Sequence, residues 1–186
     1  MATLISYKFS HDPSLQSFTN SPQAYLSANR NLSFTFLATA TLIFTKPVSS
    51  APNPRVLLLQ RAPHDSNPNK WEPPGGACDD TDASILHAAA RELFEETSLQ
   101  AERFVSVVGD PYVFKLRSGK VVGRFYYLVE VDDVKSVKLD PNEHQDYVWV
   151  GEAEVREGRR ATGEKIEITA KEVVDLILKG FEMVKQ

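Results

Sequence analysis

An α+β domain is the fold this sequence predicts, and three observations carry it. Leu86, Ala89, Ala90 and Leu93 recur at helical spacing and give one amphipathic helix in mid-chain. Val173, Leu176, Ile177, Phe181 and Val184 give a second, over Thr169 to Lys185. Around them lie short β-branched and aromatic runs, bounded by Pro, Gly and Asn, that read as strands.

Residues 1–20 are polar and turn-rich, with one apolar cluster (Leu4, Ile5, Tyr7, Phe9) suited to docking as a strand. Ser21-Pro22 has the chemistry of an N-cap followed by Pro at N1, opening a short helix through Arg30. Asn31 to Thr45 reads as a long strand, and the proline-rich stretch from Pro47 to Pro54 as a loop. Arg55 to Arg61 is short, apolar and flanked by prolines, as a buried strand should be. Pro63 to Lys70 is polar loop, and Trp71-Glu72-Pro73-Pro74-Gly75-Gly76 leads into the mid-chain helix. Beyond that helix, Arg103–Val108 and Tyr112–Arg117 read as strands. Ser118-Gly119-Lys120 is a turn, and Val121–Val131 returns as an antiparallel partner. Asp140-Pro141-Asn142 precedes a strand over Tyr147–Val150. Residues 1–31 form an N-terminal extension with a short helix, and 32–186 the main domain. Phe36, Phe44 and Phe125 are expected in the core.

A chain of 186 residues suits one main domain with a full core. A net charge of −4 argues against binding a nucleic-acid polymer, which needs a basic stripe. The single cysteine, Cys78, excludes an internal disulfide framework and fits a reducing, cytoplasmic setting. It has no evident activating partner and reads as a small loop residue. Met1 to Ser10 lacks the apolar run of a signal peptide. The longest apolar stretch, Phe34 to Phe44, is too short to span a bilayer and rich in β-branched residues, so no membrane partner is expected.

The chemistry concentrates in Arg91-Glu92-Leu93-Phe94-Glu95-Glu96. Positions i, i+3 and i+4 share a helix face, so Glu92, Glu95 and Glu96 gather three like charges beside the apolar stripe. Such a face is either solvated or close to a cation. Hard divalent ions favour carboxylate oxygens together with substrate phosphates.

The stretch from Gly76 to Leu99 resembles the Nudix box, the signature of the Nudix hydrolase family. That pattern reads G, five residues, E, seven residues, R-E-U-x-E-E-x-G-U, with U a bulky aliphatic. Gly76 matches the leading glycine, and Arg91, Glu92, Leu93, Glu95, Glu96 and Leu99 match in register. Asp82 stands for the first glutamate, eight residues rather than seven precede Arg91, and Ser98 replaces the second glycine. The extra residue can be absorbed in the loop Asp79-Asp80-Thr81 or by an earlier helix start, with Thr81 or Asp82 as N-cap. Ser98 matters if its position needs φ > 0, which glycine adopts freely and serine does not.

The resemblance covers about residues 32–185 and implies an α/β/α sandwich with a mixed β-sheet between helices. It implies hydrolysis of a phosphoanhydride bond in a nucleoside-diphosphate-linked or related organic diphosphate, supported by Mg²⁺, with Mn²⁺ as a substitute. The implied metal ligands are Glu92, Glu95 and Glu96, with Glu95 and Glu96 the stronger candidates, and a carbonyl of the Gly75-Gly76-Ala77 turn at Gly76. Arg91 would orient a neighbouring box carboxylate by a charge-assisted hydrogen bond. A further acid from across the site is implied just before a strand tryptophan. Glu143 is the candidate, with Asp146 its close competitor, and His144 between them reads as a surface residue. Arg61, Trp71 and Arg124 are the substrate-binding candidates. Tyr112, Phe114, Tyr126 and Trp149 could stack a base, or could equally be core or strand surface.

Two alternatives stay open. One is a Nudix-fold binding module that has lost catalysis, suggested by the Asp82 spacing and Ser98. The other is a Nudix-fold enzyme of different chemistry, such as an isomerase or lyase acting on a small biosynthetic molecule. The expected assembly is a monomer or homodimer.

Overall fold

The computed structural model describes residues 7–49 and 52–185. Its strands are β1 (Ser10–His11), β2 (Phe36–Leu42), β3 (Arg55–Arg61), β4 (Trp71–Glu72), β5 (Ala101–Val107), β6 (Tyr112–Lys115), β7 (Val121–Val131) and β8 (His144–Gly151). Its α-helices are α1 (Pro22–Ala28), α2 (Ile85–Thr97), α3 (Glu152–Glu157) and α4 (Lys171–Val184), and a 3-10 helix spans Pro13–Thr19. None of the described helices is long and apolar enough to cross a membrane.

The strands form two sheets in one layer. The first runs β1-β5-β7-β2, with β6 also paired to β7, and mixes parallel and antiparallel neighbours. The second runs β4-β3-β8 and is antiparallel throughout. A bridge between Phe44 and Val56 joins them.

Successive strand residues point to opposite faces, and β3 and β7 show which helix covers each. Leu57, Leu59, Phe125, Tyr127 and Val129 pack in one core with Ile85, Leu86, Ala89 and Leu93 of α2. Val56, Leu58, Tyr126 and Leu128 pack in another with Val173, Leu176, Ile177 and Phe181 of α4. This is the expected α/β/α sandwich. Ile85, Leu86 and Leu93 of α2 are fully buried, each worth about 1.5–3 kcal/mol. That anchorage makes the opposite face of α2 a rigid platform.

The N-terminal segment closes the outer side of α2. Leu15 and Phe18 are buried in the α2 core, and the Asn20 carbonyl accepts from the Ile85 amide at 3.1 Å. Of the apolar cluster expected to dock here, Tyr7 and Phe9 pack against this core, and the strand itself falls just after them. Leu4 and Ile5 lie outside the described residues.

Several boundaries differ from expectation, each for a local reason. The cap of α2 is Ser84, whose Oγ accepts from the His87 amide, not Thr81 or Asp82; the Asp82 carboxylate is spent on Arg91. The strand expected over Asn31–Thr45 shortens to Phe36–Leu42, where β7 provides a partner. Strand β8 starts three residues early because His144 pairs with Arg61 across a bulge. Helix α3 was not expected. The Glu154 carboxylate accepts from the Gly151 amide at its start, and Gly158 ends it in the left-handed region. Phe36 is 40% exposed rather than core, with Lys120 Nζ 4.2 Å above its ring, whereas Phe125 is buried.

Candidate active site

The loop from Pro73 to Cys78 lies along β2. The Thr41 amide donates to the Pro74 carbonyl, Thr39 to Gly76, and Cys78 to Leu37. Two glycines permit so close an approach. A Cβ on Gly75 would fall 2.2 Å from the Thr39 carbonyl oxygen, and its φ is +151°. A Cβ on Gly76 would fall 2.5 Å from the Glu92 carboxylate. The Gly75–Gly76 turn is thereby pressed against α2, and the Gly75 amide donates to Glu96 Oε2 at 2.7 Å.

Arg91 organises the neighbouring acids. Its Nε and Nη2 hold both oxygens of Asp82 at 3.0 Å. Nη1 reaches Glu92 Oε1 at 2.8 Å and Glu95 Oε2 at 2.9 Å, and Nη2 also donates to the Ala77 carbonyl at 3.0 Å. All five of its N–H donors are used. The shorter acid and the extra residue before Arg91 are absorbed together. The 79–82 loop turns, with the Asp82 amide on the Asp79 carbonyl and the Asp79 amide on Asp82 Oδ2. The forked ion pair is the result.

The three helix carboxylates have different surroundings. The Glu95 side chain is 53% exposed at the rim and Glu92 13%. Glu96 is buried. Burial pushes the Glu96 carboxyl well above its ordinary range, and the charges of Glu72, Glu92 and Glu143 push it further against the Gly75 hydrogen bond. Burial also raises Glu92, helped by Glu95 and Glu143 and opposed by Arg91. Glu143, exposed on the loop before β8, adds its charge to the field on both helix carboxylates. One donor atom each from Glu96, Glu143 and His144 lie within 4.8 Å of one another. Asp146 is turned to its own strand, accepting from the Tyr147 amide.

Two residues behind this cluster escaped the sequence reading. Glu72 is 3% exposed, ion-paired with Arg61, and 3.5 Å from Arg124 Nη1. Burial works against its charge, but His144, Arg124 and Arg61 outweigh that and hold its carboxyl below the ordinary value. The available signal was an acid set directly before Pro-Pro-Gly-Gly. His144 is 2% exposed, not a surface residue. Its burial comes from pairing with β3, which no local pattern reveals.

The substrate-binding candidates are placed unequally. The Arg61 guanidinium is occupied by Glu72, Asp65 and the Ser66 carbonyl. Trp71 is 3% exposed and packs in the α4-side core. Arg124 lies 5.4 Å from the Phe114 ring, which stacks on Tyr112 at 5.2 Å. Burial pushes the Cys78 thiol up to about 12, which leaves it un-ionised at neutral pH and a poor nucleophile.

The donor set fits a hard divalent cation. Buried carboxylates that repel one another are stabilised by a cation between them, and all but one of the available donors are oxygens.

Comparison with known proteins identifies the family and the fold. The NUDIX domain family model matches residues 47–171. Over 64 residues the chain is 42% identical to the uncharacterized Nudix hydrolase NudL of Escherichia coli O1:K1, a match covering 34% of this chain and 33% of that protein. The match thus spans about a third of the length of such curated relatives. Among solved structures, a C. elegans Ap4A hydrolase superposes with a TM-score of 0.63 at 21% identity, over 81% of this chain and 98% of the other. The MutT protein of Methanosarcina mazei Go1 gives 0.61 at 24%, over 84% and 100%. The NUDIX domain of Shewanella oneidensis NrtR, complexed with ADP ribose, gives 0.59 at 19%, over 87% and 98%. At these identities the structural likenesses show the fold alone.

Proposed function

The chain belongs to the NUDIX domain family, and from that premise we propose that it is a metal-dependent hydrolase of a phosphoanhydride bond in a nucleoside-diphosphate-linked or related organic diphosphate. The observation that carries this reading is the confrontation of Glu92, Glu96 and Glu143. Glu96 is buried, and one donor atom each from Glu96, Glu143 and His144 lie within 4.8 Å of one another, while the charges of Glu92 and Glu143 raise the Glu96 carboxyl further. A helix designed only to be solvated would not bury Glu96.

Glu92, Glu96 and Glu143 would hold Mg²⁺ or Mn²⁺, with Glu95 at the rim; the Gly76 carbonyl, the expected backbone ligand, instead accepts from the Thr39 amide of β2. When bound, the cation supplies charge neutralisation at phosphate oxygens and lowers the pKa of a bound water. The chain's own groups do the positioning. Arg91 fixes Glu92 and Glu95, the Gly75 amide fixes Glu96, and Arg61 with Arg124 fixes Glu72. The proton of the attacking water passes to one of the site carboxylates. Arg124, beside the stacked Tyr112 and Phe114, is the best-placed substrate contact among the three candidates. Arg61 and Trp71 act from behind the site.

Two structural neighbours are an Ap4A hydrolase and a NUDIX domain complexed with ADP ribose. Both contain phosphoanhydrides on a nucleoside, which supports the substrate class. The binding-module alternative loses its motive, because Asp82 keeps its pair with Arg91 and Ser98 adopts φ 60° at the helix end. An isomerase relying on Cys78 as a reactive thiol is disfavoured by the burial of that group. The single cysteine supports a reducing, cytoplasmic setting.

The test is a panel of nucleoside diphosphate sugars, dinucleoside polyphosphates, ADP ribose and isoprenoid diphosphates, assayed for released phosphate products with Mg²⁺, Mn²⁺ or chelator. Metal-dependent turnover of one class names the organic moiety. No turnover across the panel by a folded, metal-binding protein sinks the proposal.

A further inference from the structure

We propose that His144 is a nitrogen ligand of the cation at this site, bound through Nδ1, with Glu72 as the carboxylate that fixes its tautomer. The inference rests on the reading that the site holds a divalent cation. It adds a donor that the glutamate pattern of the box does not contain.

Geometry carries it. His144 opens β8 opposite Arg61, where the register between β3 and β8 shifts at Gln60 and Arg61. Such a bulge re-aims the adjacent side chain. The imidazole is 2% exposed, yet neither ring nitrogen has a hydrogen-bond partner among the described residues. Buried polar atoms without partners are rare and call for a specific explanation.

The two nitrogens face different carboxylates. Nδ1 is 4.0 Å from Glu96 Oε1, and Nε2 is 3.9 Å from Glu72 Oε1. Both distances exceed a hydrogen bond. Two donors each about 2.1 Å from a shared ion lie at most about 4.2 Å apart, so the first distance accommodates a cation between Nδ1 and Glu96. A Glu143 oxygen lies within 4.8 Å of both, on an exposed side chain that can close the remaining distance.

The second distance assigns the tautomer. Metal-bound histidines commonly donate their other N–H to a carboxylate. Arg61 is paired to Glu72 and Arg124 Nη1 lies 3.5 Å from it, so Glu72 is a charged acceptor. An Nε2–H pointed at Glu72 leaves the Nδ1 lone pair aimed into the site. Buried Glu72 thereby acquires a role as positioning residue for the ligand.

A nitrogen donor also alters metal choice. Imidazole suits Co²⁺, Ni²⁺ or Zn²⁺ better than Mg²⁺. Loss of His144 should therefore weaken Co²⁺ far more than Mg²⁺, by about 10–100-fold for Co²⁺ if the histidine counts as much as a typical outer-shell partner or more.

The test is pulsed electron paramagnetic resonance on the full chain loaded with Mn²⁺. Wild-type protein with ¹⁵N-labelled histidine is compared with unlabelled protein and with His144→Gln. The expected result is a nitrogen coupling of directly bound imidazole that changes isotope in the labelled protein and disappears in His144→Gln. If that variant does not fold, single replacement of His11, His64 and His87 assigns the coupling by elimination, since the chain has four histidines. Bound Mn²⁺ with no histidine nitrogen coupling overturns the proposal. So does a coupling that persists in His144→Gln. Either result, alongside Mg²⁺-dependent turnover, leaves the hydrolase reading standing. Failure to bind Mn²⁺ at all removes both.

Discussion

Replacing Arg91 with methionine should unfold the protein more easily by about 3 kcal/mol in the absence of divalent metal. Methionine keeps the apolar stem and deletes only the guanidinium, so the change isolates the five hydrogen bonds that Arg91 makes. Two of its partners are largely shielded: the Asp82 side chain is 7% exposed and Glu92 13%. Stranding buried charges by deleting one partner costs about 3–5 kcal/mol. The lower end applies because Glu92 can relax toward water. The link to Glu95, which is half exposed, adds only about 0.3–0.5 kcal/mol. For a chain of this length the melting temperature should fall by roughly 6–12 °C. Urea unfolding in chelator measures the loss directly. Mn²⁺ should restore more stability to the variant than to the wild type, because it neutralises the acids that Arg91 no longer serves. A loss under about 1 kcal/mol, or no differential rescue, would show that Arg91 does not hold the carboxylate cluster.

Other expectations can be checked on the same protein. Ser98→Gly should stabilise by about 0.5–1 kcal/mol: Ser98 sits at φ 60°, which costs an L-residue about 1–2 kcal/mol, partly offset by the greater freedom of unfolded glycine. A lower melting temperature in the variant would refute this. Glu96→Gln should raise metal-free stability at pH 8 and change it little at pH 5. Burial first, then the neighbouring carboxylates, raises the folded Glu96 carboxyl above its ordinary value of 4.5, so the wild type loses stability as pH rises from there toward the folded value. Equal unfolding midpoints at pH 8 would contradict that. Gly75→Ala should be severely destabilising, since its Cβ meets β2 backbone. Gly76→Ala should instead leave most stability and cut turnover, because the atoms nearest its Cβ are those of the Glu92 side-chain carboxylate rather than backbone. The order of the two melting temperatures decides the matter.

The parts of the fold that were legible in the sequence are those whose burial follows a local period. Strands β3 and β7 match their expected spans residue for residue, because each is a compact apolar run closed by turn chemistry. Helix α2 was legible from its stripe, and the left-handed Ser98 from its place in the family pattern. What the sequence hid was set by long-range pairing. His144 looks like any polar loop residue until β8 pairs with β3 and turns it inward. Glu72 lies on a strand of two residues, too short for alternation to show which face is buried. Phe36 is aromatic at a strand start, and its exposure depends on how far β7 and the 118–120 turn extend over it. Arg61 and Arg124 were visible as positive charges near the box. That one is occupied by acids, and the other lies beside Glu72 and an aromatic ring, depends on contacts between separate strands.

The most direct measurement is turnover of a nucleoside diphosphate derivative followed by ³¹P NMR as Mg²⁺ is titrated, for wild type beside Glu96→Gln. Cleavage at the phosphoanhydride should rise with Mg²⁺ in the wild type and be lost in a variant that remains folded. Cleavage that is indifferent to chelator, or that survives in Glu96→Gln, would contradict the metal-dependent hydrolase reading.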